Sequence, residues 1–175
     1  MRFLTRLFVV LLLSSFAFLS SYAQSKQLPS VVLSNMNGEK LNVNSYGLNG
    51  KISIISFWAT WCAPCKKELT NLAELYDEWK EKYDLEIIAV STDDQRTAAK
   101  VKPYVDGQAW EFDVLLDVNE DLKRALNFQT VPYTLVVDQQ GNVVFEHSGY
   151  VEGDEYELEK VVIKLAANAP VPVHD

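Results

Sequence analysis

The sequence predicts an α/β sandwich, a mixed sheet with helices on both faces. Three observations carry that prediction. Apolar, β-branched runs at 51–57 and 85–90 bracket a long stretch whose apolar residues recur every three or four positions. A helix between two such strands is the βαβ unit of parallel pairing. Two late runs, 133–137 and 143–147, are joined by Asp138-Gln139-Gln140-Gly141-Asn142 and read as an antiparallel hairpin.

Residues 1–23 read as an export leader. Met1-Arg2-Phe3-Leu4-Thr5-Arg6 is a short basic start, 7–19 is almost wholly apolar, and Ser21-Tyr22-Ala23 offers small residues where a signal peptidase reads. The apolar run is shorter than the ~20 residues that span a bilayer comfortably. Cleavage after Ala23 is expected, with an uncleaved N-terminal anchor as the alternative. No cysteine follows the apolar run, which disfavours a lipoprotein anchor. The protein is therefore expected in a bacterial periplasm.

Loss of Arg2 and Arg6, with no acid, moves the net charge from −8 to −10. So acidic a surface disfavours nucleic acid and anionic lipid, whose charges it repels. With 48% apolar residues and about 150 residues after the leader, one domain with one sizeable core is expected.

Residues 24–30 read as a polar linker, and the domain as 31–168. Two short runs flanking Asn37-Gly38 predict a hairpin. A turn at Gly47 to Gly50 leads into the strand at 51–57. Leu69, Leu72, Leu75, Tyr76, Trp79 and Tyr83 mark one face of a helix of roughly five turns, and 85–90 is the next strand. Ser91-Thr92-Asp93-Asp94 reads as a loop. A helical segment over 97–105 contains Pro103, which should restrict or kink it, and ends at Gly107. A short strand at 112–116 follows, then a helix through Leu122, Ala125 and Leu126 that Asp117 or Asn119 can cap. After the late hairpin, Gly153-Asp154-Glu155 opens a terminal helix, and 169–175 is expected to be a disordered tail.

The chemistry sits in Trp58-Ala59-Thr60-Trp61-Cys62-Ala63-Pro64-Cys65-Lys66-Lys67-Glu68, which holds the only two cysteines. A disulfide that closes so short a loop barely restricts the unfolded chain, so it adds little stability. A pair this close is better explained by reactivity than by stapling. The thiolate is the attacking species, and Cys62 should lie just before the helix, where free N–H groups and the dipole stabilise negative charge. In such a position the thiol pKa of ~8.5 can fall to roughly 3.5–7.5. Cys62, at the exposed strand-to-helix corner, is the expected nucleophile, and Cys65, more buried, the resolving thiol. Cys65 must lose a proton to react. Glu68, three residues on, is the nearest candidate acceptor; alternatively it is a solvated first-turn carboxylate that only favours the helix dipole.

Trp-Cys-Ala-Pro-Cys after a strand, with Val131-Pro132-Tyr133-Thr134 before a late strand, resembles the thioredoxin superfamily. The leader, the insertion between Val90 and Pro132, and Lys66-Lys67-Glu68 narrow the resemblance to TlpA/ResA-like periplasmic thiol-disulfide oxidoreductases, over residues 31–166. The resemblance implies a thioredoxin-like three-layer α/β/α sandwich with an N-terminal β-hairpin and a central inserted α-β element. It makes Pro132 a cis-proline beside the active-site disulfide and Val131 the backbone partner of a substrate strand. It gives Glu68 a role in tuning the thiols. Trp58, Trp61, Ala63 and Pro64 would shape the surface around the nucleophile, and Tyr133 its substrate-facing rim. No cofactor is implied beyond the Cys62–Cys65 disulfide, and no metal. The implied partners are protein thiols and disulfides, apocytochrome c among them, and a membrane thiol-electron donor of the DsbD/CcdA type. The protein is expected to act as a monomer.

Two departures stand out. The strand position that carries a buried aspartate in thioredoxin itself is Ser56 here, which leaves more for Glu68 to do. Many relatives have a helix-kinking proline near Thr70, so this helix should run straighter. Two rival functions remain: an oxidant that installs disulfides, and a copper carrier using both thiols with a histidine, His147 or His174, as third ligand. Related copper chaperones use a wider cysteine spacing.

Overall fold

An interior strand of the sheet, β3, spans Ile52–Trp58, and all seven of its residues are buried. That explains its continuous apolar character: with both faces covered, the alternation of a half-exposed strand disappears. The structure, a computed structural model, describes residues 25–108 and 110–168. The leader expected over 1–23 and the tail expected over 169–175 lie outside the described residues.

Around β3 the chain builds a seven-stranded sheet in the order β2-β1-β5-β4-β3-β6-β7. β1 (Val32–Asn35) and β2 (Lys40–Asn42) form the N-terminal hairpin. Gly38 takes a φ of +83° in its turn, and the Asn35 side chain accepts from the N–H groups of Asn37 and Glu39. β3 pairs in parallel with β4 (Leu85–Ser91), and β4 with β5 (Asp113–Leu116). β6 (Tyr133–Val137) runs antiparallel to β3 and hairpins into the edge strand β7 (Val143–Ser148).

Two cores cover the sheet, one on each face. Helix α1 (Ala63–Tyr83) lays Leu69, Leu72, Tyr76 and Trp79 against Ile54, Ile87 and Val136, beside Leu158 and Val162 of the terminal helix. Each such side chain contributes about 1.5–3 kcal/mol by leaving water. The opposite face buries Ile55, Phe57, Val90, Tyr133 and Leu135 under Leu122, Leu126 and Phe128. These layers are the α/β/α sandwich expected from the sequence.

The insertion between β4 and β6 is a 3₁₀ turn (Ala98–Lys100), α2 (Val101–Asp106), β5 and α3 (Asp121–Leu126). Pro103 is third in α2, where an N–H would have no partner within the helix, so the helix accommodates it. Asp117 caps α3 by accepting from Leu122 and Lys123 N–H, one of the two caps expected. The terminal helix, α4, spans Asp154–Ala167.

Within the polar linker expected over 24–30, residues 26–28 are tied to the domain. Leu28 is buried, its N–H donates to Gly141, and the Lys26 carbonyl accepts from Val143 N–H. The mostly polar composition concealed this pairing with the β6–β7 turn. The same turn is held by a close approach: a Cβ on Gly47 would lie 2.9 Å from Gly141 Cα.

Candidate active site

β3 delivers the chain to the top of the sheet, and α1 begins at once. Cys62 is the N-cap of α1, with extended backbone, and its Sγ accepts from Cys65 N–H at 3.3 Å. Pro64 occupies the first turn, where no hydrogen bond is lost. Cys62 and Cys65 are joined as a disulfide with Cα atoms 5.4 Å apart. Cys65 is fully buried; Cys62 is also largely covered, at 5% exposure, rather than standing free at an open corner. α1 runs unbroken through Thr70, whose hydroxyl donates back to the Lys66 carbonyl.

The Val131–Pro132 bond is cis. Pro132 is buried while Val131 is half-buried, and the Pro132 carbonyl accepts from Gly149 N–H. Val131 and Trp61, which is 66% exposed, line one groove of about 200 Å³ with Thr92, Glu120, Lys123, Gln129 and Thr130. Ala63 and Pro64 are exposed beside Cys62.

Two expected surface residues are elsewhere. Trp58 is wholly buried, its ring 5.5 Å from Tyr104 and 5.3 Å from Trp110, so it backs the cysteine loop from inside rather than meeting substrate. Both faces of β3 are covered, and the insertion supplies the aromatic lid. Tyr133 is also buried, stacked on Phe128 with centroids 4.2 Å apart, its hydroxyl bonded to Glu146. Strand alternation sends Tyr133 to the face opposite α1 and leaves Thr134 facing it. The residue after the cis-proline therefore does not form the rim; the one after that meets Glu68.

Glu68 is 5% exposed, which excludes the solvated carboxylate. It accepts from Thr134 Oγ1 at 2.6 Å and from Ser56 Oγ at 3.1 Å. Burial pushes its carboxyl up from 4.5 to about 7, against the pull of those two hydroxyls, with Asp154 and Glu155 adding to the rise. Ser56, where thioredoxin has its buried acid, thus becomes the donor to an acid supplied by the helix.

The sequence marks Asp93 only as a loop acid. It is 1% exposed and accepts from Thr60 N–H at 2.8 Å, Thr60 Oγ1 at 2.7 Å and Ser91 Oγ at 2.9 Å. Thr92 N–H adds a bond to the Trp58 carbonyl at 2.8 Å. The end of β4 therefore clamps the segment that precedes Cys62. The polar Ser91-Thr92-Asp93 run that closes the apolar stretch Ile87–Val90 was the available signal.

A Cys62–Cys65 disulfide at the head of a helix, with a cis-proline just before β6 in a mixed sheet of this order, defines a thioredoxin-like thiol-disulfide oxidoreductase. The chain belongs to the AhpC/TSA family, whose pattern matches residues 25–146. It is 31% identical over 140 residues to thiol-disulfide oxidoreductase ResA of Bacillus thuringiensis subsp. konkukian, covering 80% of this chain and 77% of that protein. With the ResA of Bacillus anthracis the identity is 30% over 174 residues, 94% of this chain and 96% of that one. Among solved structures, an uncharacterized thioredoxin-like protein from Porphyromonas gingivalis matches with a TM-score of 0.74 at 43% identity, over 86% of this chain and 99% of that one. A thioredoxin-family thiol:disulfide interchange protein from Chlorobium tepidum shares the fold, with a TM-score of 0.67 at 24% identity, over 83% of this chain and 99% of that one.

Proposed function

We propose that the protein is an exported disulfide reductase, working in the periplasm on protein thiols and disulfides, with apocytochrome c as one client class. The observation that carries this reading is Glu68, a buried carboxylate one turn along the helix from Cys65, held near neutrality. The reduced protein attacks through the Cys62 thiolate: the Cys62–substrate S–S bond forms as the substrate's own S–S bond breaks, and the first substrate sulfur leaves with the electron pair. Cys65 then passes its proton to Glu68 and attacks Cys62 Sγ. The Cys62–Cys65 bond forms, the mixed disulfide breaks, and the second substrate sulfur leaves. Two electrons go to the substrate, and its two leaving thiolates take up two protons from the medium. A carboxyl poised near pH 7 can both accept and release the proton at working pH. A membrane thiol-electron donor of the DsbD/CcdA type would return the protein to the dithiol.

Trp61, Ala63, Pro64 and Val131 form the substrate-side surface in this reading, and the cis-Pro132 turn presents the Val131 backbone to an extended client. Equilibration of Cys62/Cys65 with glutathione tests the direction. A potential near the thioredoxin value of about −270 mV is expected; one near the DsbA-like value of about −120 mV makes the protein an oxidant instead. Cys65→Ser should accumulate mixed disulfides through Cys62, which identifies the clients. Among the described residues no helix is long and apolar enough to cross a membrane, so an uncleaved leader would be the anchor. Fractionation of the full chain, with the mass of the mature N-terminus, decides between release after Ala23 and anchoring.

A further inference from the structure

Glu68 is buried, yet it forms one wall of a cavity of about 290 Å³ between the sheet and α4, distinct from the groove at Trp61 and Val131. The cavity is lined by Leu72, Phe145 and Leu158, and its polar groups come from every element around it: Glu68 of α1, Thr134 of β6, His147 of β7, Tyr150 of the following loop, and Asp154, Glu155 and Glu157 of α4. Thr134 and His147 are register partners across β6 and β7, so their side chains stand next to each other on one face. Thr134 holds Glu68 at 2.6 Å, and His147 Nε2 lies 3.2 Å from Asp154 Oδ2. The inner end of this row is buried, whereas the His147 and Asp154 side chains are 43% and 25% exposed. Glu155 is committed elsewhere, accepting from the Tyr150 hydroxyl, which in turn accepts from Asn71. Asp154 also accepts from Val151 N–H, which fixes its carboxylate toward the imidazole.

We propose that this cavity is the proton port of the site: Glu68 discharges to solvent through it the proton taken from Cys65, and His147, oriented by Asp154, is the exchanging group at its mouth. The inference rests on the reading of Glu68 as the proton acceptor. The proton leaves Cys65 Sγ for Glu68 as the Cys62–Cys65 bond forms, then passes from Glu68 through cavity water to His147 Nδ1 or Nε2 and on to bulk. Glu68 is returned to carboxylate for the next turnover. No electron moves in this second stage, so it needs no further reactant. An imidazole suits the task because it both takes and gives a proton near neutral pH. The remaining acids favour the uptake half of the cycle: Asp154 and Glu155 raise the proton affinity of Glu68 and so help it take the proton from Cys65.

The test is repeated turnover at pH 7 against excess peptide disulfide and a dithiol reductant, so that Glu68 must be discharged before each resolving step recurs; the protein's redox state is followed by tryptophan fluorescence. His147→Ala is expected to slow the resolving step about tenfold, a modest share of what general acid–base groups contribute. Added imidazole should restore the rate, while alkylation of Cys62 by iodoacetamide should be unchanged. Asp154→Asn keeps an acceptor for Val151 N–H, and a smaller, imidazole-independent slowing of about threefold is expected there. A normal resolving rate in His147→Ala, or a slow one that imidazole does not restore, overturns the port. Glu68→Gln separates the two levels. If it slows resolution while His147→Ala does not, only the port falls; if it leaves resolution unchanged, the acceptor role falls and the port with it.

Discussion

Two carboxylates are buried on either side of the cysteine corner, and they are built for opposite tasks. Asp93 precedes it in space, gripping Thr60 two residues before Cys62 with one backbone N–H and one hydroxyl, and receiving Ser91 as well. Glu68 follows it on α1 and receives only two hydroxyls, from Thr134 and Ser56. A backbone N–H cannot turn away, so it fixes in place the carboxyl oxygen it serves. Hydroxyls rotate and can serve a neutral or a charged carboxyl alike. Similar burial thus yields a fixed anchor on one side and, at Glu68, a carboxyl raised toward neutrality on the other. What separates them is the kind of donor, not the depth.

The largest effect should come from removing the anchor. Asp93→Ala strands the Thr60 N–H and loosens the segment entering Cys62, a loss of about 3–4 kcal/mol for a charge-assisted cluster of three bonds. Urea denaturation measures it. A loss below about 1 kcal/mol would mean that Asp93 is not the clamp and would break the comparison.

Next is the titrating group. With its folded value raised from 4.5 to about 7, Glu68 is protonated in both states below about pH 4.5, where its stability contribution is complete. That contribution is lost as the pH rises through about 7, because folding then forces a buried charge. The shift corresponds to about 3 kcal/mol, an order-of-magnitude figure at 1.36 kcal/mol per unit. The pH dependence of stability between 4.5 and 8 should therefore flatten in Glu68→Gln, and this variant should be more stable than the parent at pH 8. Identical slopes in the two proteins would show that Glu68 titrates normally.

Thr60→Val comes third. It keeps the backbone bond to Asp93 and loses the hydroxyl bond, so about 1–1.5 kcal/mol is expected. Its thiol–disulfide potential should stay close to the parent's, because the charge is untouched. A large shift in potential would make the clamp electrostatic rather than mechanical.

How much of this could be read from the sequence depended on how local the signal was. α1 and the Cys62–Cys65–Glu68 face followed from helical spacing alone, and the sheet from its apolar runs. The cis bond at Pro132 needed the family resemblance, since nothing nearby in the chain dictates it. Orientation was the weak point. Trp58 lies on a strand covered on both faces, so alternation could not say whether it met solvent. At Tyr133 and Thr134 the pattern is also continuous, and only the register against β3 shows which of the two meets Glu68. The Asp93 clamp joins residues 33 apart in sequence, and Lys26, Gln27 and Leu28 pair with a turn more than a hundred residues on. Pairings of that kind are settled by packing, not by local preference.

The finest probe of the comparison is the pair of hydroxyls themselves. Both bonds lower the Glu68 titration against the burial that raises it, and Thr134 does so more than Ser56. Removing either should leave the carboxyl less able to ionise. Thr134→Val is expected to raise the titration by about half to one pH unit, and Ser56→Ala by less, since one neutral bond is worth about 1 kcal/mol. The carboxyl band in infrared difference spectra, followed from pH 5 to 9, reads this directly. Were either variant to lower the titration, the hydroxyls would be stabilising the protonated acid. Glu68 would then be held in reserve as a proton donor, with the rotating hydroxyls around it favouring the protonated acid rather than serving both forms.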